Sequence, residues 1–338
     1  MTIRIAAVIA LAVTMVGLNP AISGACACGA FVANDKLRAQ QETALVELTG
    51  RTESITLSVQ ARSEATQAAF LMPVPARARF EVANGDLFTE LDRISRPEVK
   101  VRRVTADGDG SGGAPQSGSG ATVVDHIEIG PYEVAQLAGT DATAVTRWLA
   151  DNDFTLPTAL GDALTPYLAG GWLVVAVRLA PTSGSLAEGL PPMRLAFETD
   201  TPIYPMRLSA TAADRQPLRL YVLADHRMDI SNPAPEGNTP DLTFAGAVKP
   251  DPEYPTLSAA LTGPRFLTRY DGDFAPAQIT DDIRITRSAT DEHHRAVVTV
   301  TQYVRSPWRA LAVPLIVLVL ALVVAAVAIL RRRWPTRA

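Results

Sequence analysis

An uninterrupted apolar stretch near the C-terminus constrains this chain more than any other feature. Residues 310–330 are 21 positions without a charged side chain, and they include one proline, Pro314. At about 1.5 Å per residue, a helix of that length matches the roughly 30 Å hydrocarbon core of a bilayer. A buried helix of a soluble domain would normally keep a polar face. The stretch therefore predicts one transmembrane helix.

The residues that flank this stretch are typical of a membrane span. Trp308 and Trp334 stand at the two expected interfaces with the headgroups. Two arginines, Arg305 and Arg309, precede the stretch. Four arginines follow it, at positions 331, 332, 333 and 337. The positive-inside rule therefore predicts that residues 331–338 form a basic cytoplasmic tail and that the body of the chain lies outside.

The first 25 residues are typical of a secretory signal peptide. Arg4 supplies the charged start, residues 5–18 are apolar, and small residues precede Cys26. The apolar part is too short for an ordinary membrane span. We therefore expect a single-pass protein of the cell membrane. Residues 26–305 would be its extracytoplasmic domain, and the lipid bilayer one of its partners.

Composition predicts a folded domain and argues against one class of partner. The chain is 47% hydrophobic and 20% charged, so it has enough apolar side chains for a core. Setting aside the five arginines of the terminal segments leaves 26 basic residues against 35 acidic ones, a formal charge of −9 for the middle. Because nucleic-acid binding depends on basic surface, we expect no nucleic-acid partner.

Most of the domain is predicted to be β-structure. Residues 54–60 alternate apolar and polar side chains, which is typical of a strand with one buried face. Pro73 is expected to end the strand at 68–72, because proline cannot donate to a sheet. The other predicted strands are 41–48, 99–104, 123–129, 172–179, 194–197, 218–223 and 296–304.

Three short helices and one long loop complete the pattern. One helix is predicted at 86–94 with Asp86 as its cap. A second is predicted with Thr140 or Asp141 as its cap, and a third is predicted at 158–169. Residues 106–122 are dominated by Gly, Ser, Asp and Ala and predict a flexible loop inserted within one domain. The pattern favours a mainly β domain, either β-sandwich-like or α+β, with a few short helices and the C-terminal transmembrane helix.

Four stretches of the chain resemble one bacterial family. They are CGAFV at 28–32, LMPVPA at 71–76, GPYEVAQLAGTDATAVTRWLADNDFTLP at 130–157 and AFETDTPIYPMRLSA at 196–210. Together they are similar to the bacterial Domain of Unknown Function family 2330, over roughly residues 26–305. The resemblance implies an uncharacterised exported protein with an external domain and often a C-terminal span. It implies no activity, cofactor or catalytic residue.

Cys26 and Cys28 are the only cysteines, and three chemistries are open to them. Cleavage before Cys26 would leave it for lipid attachment, although Ser23 stands where lipoprotein signals usually carry leucine. In an oxidising exterior the pair could instead close a short disulfide, either structural or redox-active. A copper or zinc site would need further ligands that the nearby sequence does not offer, so no metal or cofactor is expected.

Asp225 and His226 are the weak catalytic candidates. They follow the apolar run of a predicted strand, a position where catalytic side chains are often held, but no nucleophile accompanies them in a motif. The acidic pairs Asp271 with Asp273 and Asp281 with Asp282 lack the spacing of a calcium loop and are expected to be solvated. The adjacent His293 and His294 are likewise expected in solvent.

These observations favour a non-enzymatic binding or interaction module that is tethered near the cell surface, with a membrane or envelope protein as its partner. The alternative is an exported hydrolase or thiol-redox enzyme that uses Asp225 and His226 or the two cysteines. Both hypotheses share the topology that the two ends of the chain predict.

Overall fold

The computed structural model describes residues 22–26, 28–33, 37–63, 67–106, 132–179, 191–305 and 307–333. These residues fall into two compact units. The first contains the described residues up to Arg96 and those from Tyr132 to Arg295. The second contains the described residues from Pro97 to Ala106 and those from Ala296 to Arg333. The predicted signal peptide up to residue 21, residues 107–122 of the predicted loop and the predicted strand 123–129 lie outside the described residues.

The described part of the chain is mainly β-structure. Its strands are β1 (Ile22–Cys26), β2 (Gly29–Ala33), β3 (Leu37–Thr49), β4 (Thr52–Ser63), β5 (Ala68–Val74), β6 (Arg79–Val82), β7 (Glu98–Ala106), β8 (Tyr132–Leu137), β9 (Leu173–Leu179), β10 (Met193–Glu198), β11 (Ile203–Tyr204), β12 (Gln216–Ala224), β13 (Met228–Ile230), β14 (Asp241–Val248), β15 (Arg265–Phe274), β16 (Ile283–Arg287), β17 (His294–Arg295) and β18 (Val297–Arg305).

Helices are fewer in the same residues. They are α1 (Asp86–Ile94), α2 (Thr143–Asp151), α3 (Thr158–Ala169), α4 (Pro255–Ala260) and α5 (Pro307–Arg333), with 3₁₀ turns at Arg207–Thr211 and Pro276–Gln278. The mainly β fold class, the three predicted short helices and the predicted strands that fall on described residues are confirmed.

Two sheets of the first unit face each other across its main core. Among the described strands, the smaller sheet has the order β1-β2-β5-β9-β8 and the larger one β17-β14-β15-β12-β3-β4-β10-β6. Phe70 and Val175 of the smaller sheet share one apolar cluster with Ala44 and Leu220 of the larger sheet. A third sheet, β11-β16-β13, adds Tyr204 to that cluster.

Helices cover the outer face of each of these two sheets. Next along β5 from Phe70, Leu71 turns away from the main core and packs with Leu149 of α2 and Leu164 of α3. On the larger sheet, Leu45 and its neighbours pack in the same way against α1 and α4. The first unit is therefore layered helix, sheet, sheet, helix. This explains why 172–179 is almost continuously apolar and does not alternate, since residues 174–177 of β9 are buried on both faces.

Three local predictions needed correction. Pro73 does not end its strand, because β5 continues to Val74 and pairs Pro73 with Val174 of β9. The other neighbour of β5 is β2, which pairs with it only as far as Leu71. Pro73, which has no N–H, therefore lies where β5 has no described partner on that side.

The other two corrections concern the first residues of helices. Asp86 is the first residue of α1 and not its cap, and its N–H donates to Oδ1 of Asn84 at 2.9 Å. The cap of α2 is Ala142, and not Thr140 or Asp141.

The second unit is a two-stranded ribbon followed by a helix. β7 and β18 run parallel, with Val99 opposite Val298 and Val101 opposite Val300. After one further residue α5 begins, and it contains the whole of the predicted span 310–330. A search of the described residues for a helix long and apolar enough to cross a membrane finds none.

Candidate functional site

The structure separates the two weak catalytic candidates. Asp225 directly follows β12, as expected for a strand end, and its carboxylate lies 3.1 Å from Nε of Arg265. The imidazole of His226 instead lies with Nδ1 2.8 Å from Oδ2 of Asp291. Adjacent in sequence, Asp225 and His226 thus engage different partners and do not form a dyad with each other.

His226 and Asp291 form a hydrogen-bonded pair at the surface. Asp291 also accepts the backbone N–H of Arg227 at 2.9 Å. Hydrogen bonds from His226 and then from Arg227 hold the pKa of Asp291 below its usual value. Both side chains are more than two-fifths exposed. The sequence carried no indication of this partner, because Asp291 lies 65 positions further along the chain.

Cys28 lies in the main core and not at the surface. It sits in the turn between β1 and β2 and is fully buried, as is Tyr204, while Glu42 is 2% exposed. The hydroxyl of Tyr204 donates to Oε1 of Glu42. Burial, and then the thiol of Cys28 and the carboxyl of Glu42, raise the pKa of Tyr204 well above its usual value. The side chain of Cys26 lies outside the described residues, so a disulfide or lipid attachment stays a prediction.

A second buried carboxyl, Asp282, joins three parts of the first unit. Its Oδ1 accepts the hydroxyl of Tyr167 from α3 and the backbone N–H groups of Met206 at 2.7 Å and Arg207 at 2.9 Å. Its Oδ2 accepts Nε of Arg207 at 3.1 Å. Burial first, and then Asp282, raises the pKa of Tyr167. Asp282 is 1% exposed, so the prediction of a solvated turn residue was wrong here.

A third buried carboxyl, Glu53, meets the same stretch of chain. Its Oε2 accepts the N–H of Ile203 at 3.1 Å, and Oε1 has no hydrogen-bond partner among the described residues. Burial raises the pKa of Glu53 to about 8, while the bond from Ile203 acts in the opposite direction. The side chain is fully buried, so Glu53 carries its proton at neutral pH.

Residues 203–207 are therefore the point on which Glu42, Glu53 and Asp282 converge. These residues belong to the stretch 196–210 that carried part of the family resemblance, so that motif has a structural role. The sequence contains a signal for two of these acids. Glu42 shares a strand face with the buried Ala44 and Val46, and Glu53 shares one with the buried Ile55, because residues two apart on a strand point the same way. A carboxyl on the apolar face of an alternating strand indicates a buried acid.

An ionic network lies on the helix-covered face of the larger sheet. Arg269 in β15 donates to Asp271 at 2.8 Å and reaches Asp92 of α1 at 3.4 Å, while Arg219 in β12 lies 3.0 Å from Asp92. Burial raises the pKa of Asp271, but hydrogen bonds from Arg269, Thr243 and Arg219 outweigh it and the pKa is lowered. The network ties α1 to the sheet.

The remaining candidate residues are at the surface. His293 and His294 are exposed, as predicted. Within the described ranges, no group of three or more His, Cys, Asp or Glu side chains is placed to hold a metal ion.

A comparison of this sequence with models of protein families identifies its family. The family model described as "uncharacterized protein conserved in bacteria (DUF2330)" matches residues 22–286. The chain belongs to this family. Its match includes Glu42, Glu53 and Asp282, together with β1 and the residues 203–207. A search of curated proteins finds no match to this chain.

Some solved structures show a distant likeness. The crystal structure of baculovirus P35 is 10% identical, covers 75% of this chain and 98% of its own, and has a TM-score of 0.39. A mutated baculovirus P35 after caspase cleavage is also 10% identical, with 75% and 99% of the two chains covered and a TM-score of 0.39. TM-scores this low support no conclusion about this chain.

Proposed function

We propose that this chain is a membrane-anchored extracytoplasmic interaction module, which binds a protein of the membrane or envelope close to the bilayer and is not an enzyme. In this account residues 1–25 direct export, α5 is the single span, and residues 331–338 lie in the cytoplasm.

The observation that carries the proposal is the connection between β18 and α5. Only Ser306 separates Arg305, the last residue of β18, from Pro307, the first of α5. With α5 in the bilayer, the ribbon begins at the membrane surface. Two features support α5 as the anchor: it is continuous through 310–330, and its large aliphatic side chains between residues 316 and 329 are 45% to 68% exposed.

The placement of the candidate residues removes the Asp225–His226 pairing on which the enzyme alternative relied. Asp225 pairs with Arg265 and His226 pairs with Asp291, so neither orients the other for acid–base chemistry. Cys28 is fully buried beside Tyr204, which shields its sulfur from the thiols or oxidants that a redox enzyme must meet. An exported hydrolase or thiol-redox enzyme is therefore the weaker alternative.

In-cell crosslinking of the tagged, membrane-resident full chain tests the proposal. A variant that lacks residues 29–304 keeps the anchor, and His226→Ala keeps the whole domain. We expect a recurrent partner with the full chain and with His226→Ala, and none with the deletion. If the deletion variant recovers the same partner as the full chain, a binding role for the domain is contradicted. Loss of the partner with His226→Ala would place His226 in the binding surface.

A further inference from the structure

Residues 199–203, which we call the strap, contact a carboxyl that is fully buried. The strap follows β10 and ends on the first residue of β11, and its residues are exposed or half-buried. Glu53 is fully buried, and its Oε2 accepts the N–H of Ile203 at 3.1 Å. Oε1 of Glu53 has no hydrogen-bond partner among the described residues. A segment near the surface is thus bonded directly to a buried acid.

Glu53 occupies the side of the strap on which a neighbouring strand would otherwise pair. On the other side, β16 pairs with β11, and the N–H of Ile285 donates to the carbonyl of Pro202 at 3.1 Å. In a trans peptide the carbonyl and the next N–H point in opposite directions, so the N–H of Ile203 points away from β16. Its acceptor is the side chain of Glu53. The end of the strap is therefore joined to the larger sheet through this carboxyl.

The rest of the strap is held by contacts at the surface. The N–H of Thr199 donates to the carbonyl of Arg51 at 2.9 Å, and the side chains of Arg51 and Asp200 pair at 3.0 Å while more than two-thirds exposed. An ion pair this exposed adds little stability. Residues 204–206, by contrast, are buried, and the last of them is bonded to Asp282. The strap can therefore open while the chain after it stays in place.

The acid beneath the strap has no cation to neutralise it. Burial and the bond from Ile203 are the two influences on the pKa of Glu53. Across the core, the smaller sheet presents apolar side chains and Tyr132, whose hydroxyl donates to the carbonyl of Pro191. The charged or titratable groups on the elements around Glu53 pair with other groups, as Glu47 with Arg194, Asp200 with Arg51, Arg284 with Asp281, Glu198 with Thr52, and Tyr204 with Glu42.

We propose that ionisation of Glu53 opens the strap, so that residues 199–203 form a pH-sensitive switch. While the strap is closed the carboxyl stays neutral, because a buried carboxylate without a cation is strongly unfavourable. When the strap opens, water reaches the carboxyl and stabilises its charge. A rising pH therefore favours the open strap. The switch is a property of the first unit, so it does not depend on α5 or on the proposed function.

Proton linkage sets the range and the size of the effect. Burial raises the pKa of Glu53 to about 8 with the strap closed, and contact with water returns it to the usual 4.5. Between these two values the opening of the strap releases one proton. The ratio of open to closed strap should therefore rise about tenfold per pH unit in this range. Above about pH 8 both states are ionised and the ratio should stay constant.

Amide hydrogen exchange of the purified full chain tests the switch. The reporter is the N–H of Ile203, and its rate at each pH is divided into the rate of an unfolded peptide to give a protection factor. We expect this factor to fall about tenfold per pH unit from pH 5 to about pH 8. Glu53→Gln cannot ionise and should remove the fall. Glu47→Gln is the matched control, because Glu47 is also buried with a raised pKa but faces the other side of the sheet, and it should leave the fall unchanged.

Low denaturant separates opening of the strap from unfolding of the first unit. Local opening exposes little surface, so the protection of Ile203 should be insensitive to denaturant, whereas that of Val175 in the core strand β9 should fall. Three results would overturn the switch: protection of Ile203 that does not change with pH, that falls equally in Glu53→Gln, or that responds to denaturant as steeply as Val175. The wild-type measurements decide the matter even if Glu53→Gln does not fold.

Discussion

The side chain of Gln136 pairs with the backbone of Ala78 as a neighbouring strand would. Its Nε2 donates to the carbonyl of Ala78 at 2.7 Å, and its Oε1 accepts the N–H of Ala78 at 2.8 Å. Gln136 lies in β8, the edge of the smaller sheet, and Ala78 immediately precedes β6, the edge of the larger sheet. The rings of Phe80 and Tyr132 meet nearby, with centroids 5.6 Å apart. This edge of the two-sheet core is therefore closed by specific contacts.

Gln136→Ala should lower the free energy of unfolding by about 1 to 2 kcal/mol, because both backbone groups of Ala78 lose their partner. Thermal unfolding of the purified full chain measures this. Glu133→Ala on the same strand is the control, since Glu133 is exposed and makes only a surface ion pair with Arg178. Equal effects of the two substitutions would contradict the role given to Gln136.

Asp282→Ala should be more damaging, at about 2 to 4 kcal/mol, because the buried hydroxyl of Tyr167 and the backbone N–H of Met206 would lose their acceptor. The neighbouring residue provides the comparison: Asp281 is partly exposed and pairs with Arg284 at 2.8 Å. Denaturant unfolding should show little change for Asp281→Ala. A mild effect of Asp282→Ala would mean that Asp282 does not organise this region.

Glu53 predicts a pH dependence of stability with a definite sign. Its pKa in the folded chain is about 8, above the usual 4.5, so between these values the folded state holds a proton that the unfolded state has lost. The stabilisation is complete below pH 4.5 and is lost as the pH rises to about 8. The loss is on the order of 5 kcal/mol.

Glu53→Gln isolates this contribution, because glutamine does not titrate. Glu47 also has a raised pKa, caused by burial, so the wild-type profile alone would mix the two groups. Measured from pH 5 to pH 9, the unfolding free energy of Glu53→Gln should fall less steeply than that of the wild type. Parallel profiles would show that Glu53 does not titrate as described.

Asp153 offers a prediction of increased stability. It lies two residues after the end of α2 and has a φ of 64°, a conformation that favours glycine. Its N–H donates to the carbonyl of Ala150, and the N–H of Phe154 donates to that of Leu149. Asp153→Gly should therefore raise the unfolding free energy by about 0.5 to 1 kcal/mol. Asp151→Gly, inside the helix two residues earlier, should have the opposite sign. The melting temperatures of the two variants decide this.

Regular elements could be predicted from sequence because their causes are local. Alternation located β4, and α1 has the predicted bounds of 86–94. β15 escaped prediction because Arg269 and Asp271 interrupt its apolar pattern. Arg269 is buried because it pairs with Asp271 in the same strand and with the distant Asp92 of α1. Asp282 was missed for the same reason, since its ligands lie 75 or more positions away. The residues next to an acid in the sequence do not show which distant strands will bury it.

The most direct test of the account is the topology of the full chain in cells. A C-terminal tag, alkaline extraction of membranes and protease added from outside together locate both sides of α5. The account predicts that the chain stays with the membranes and that external protease removes the domain but leaves a short tagged fragment containing α5. Release of the chain by alkali, or an intact domain after protease in cells whose outer barrier has been opened, would contradict it.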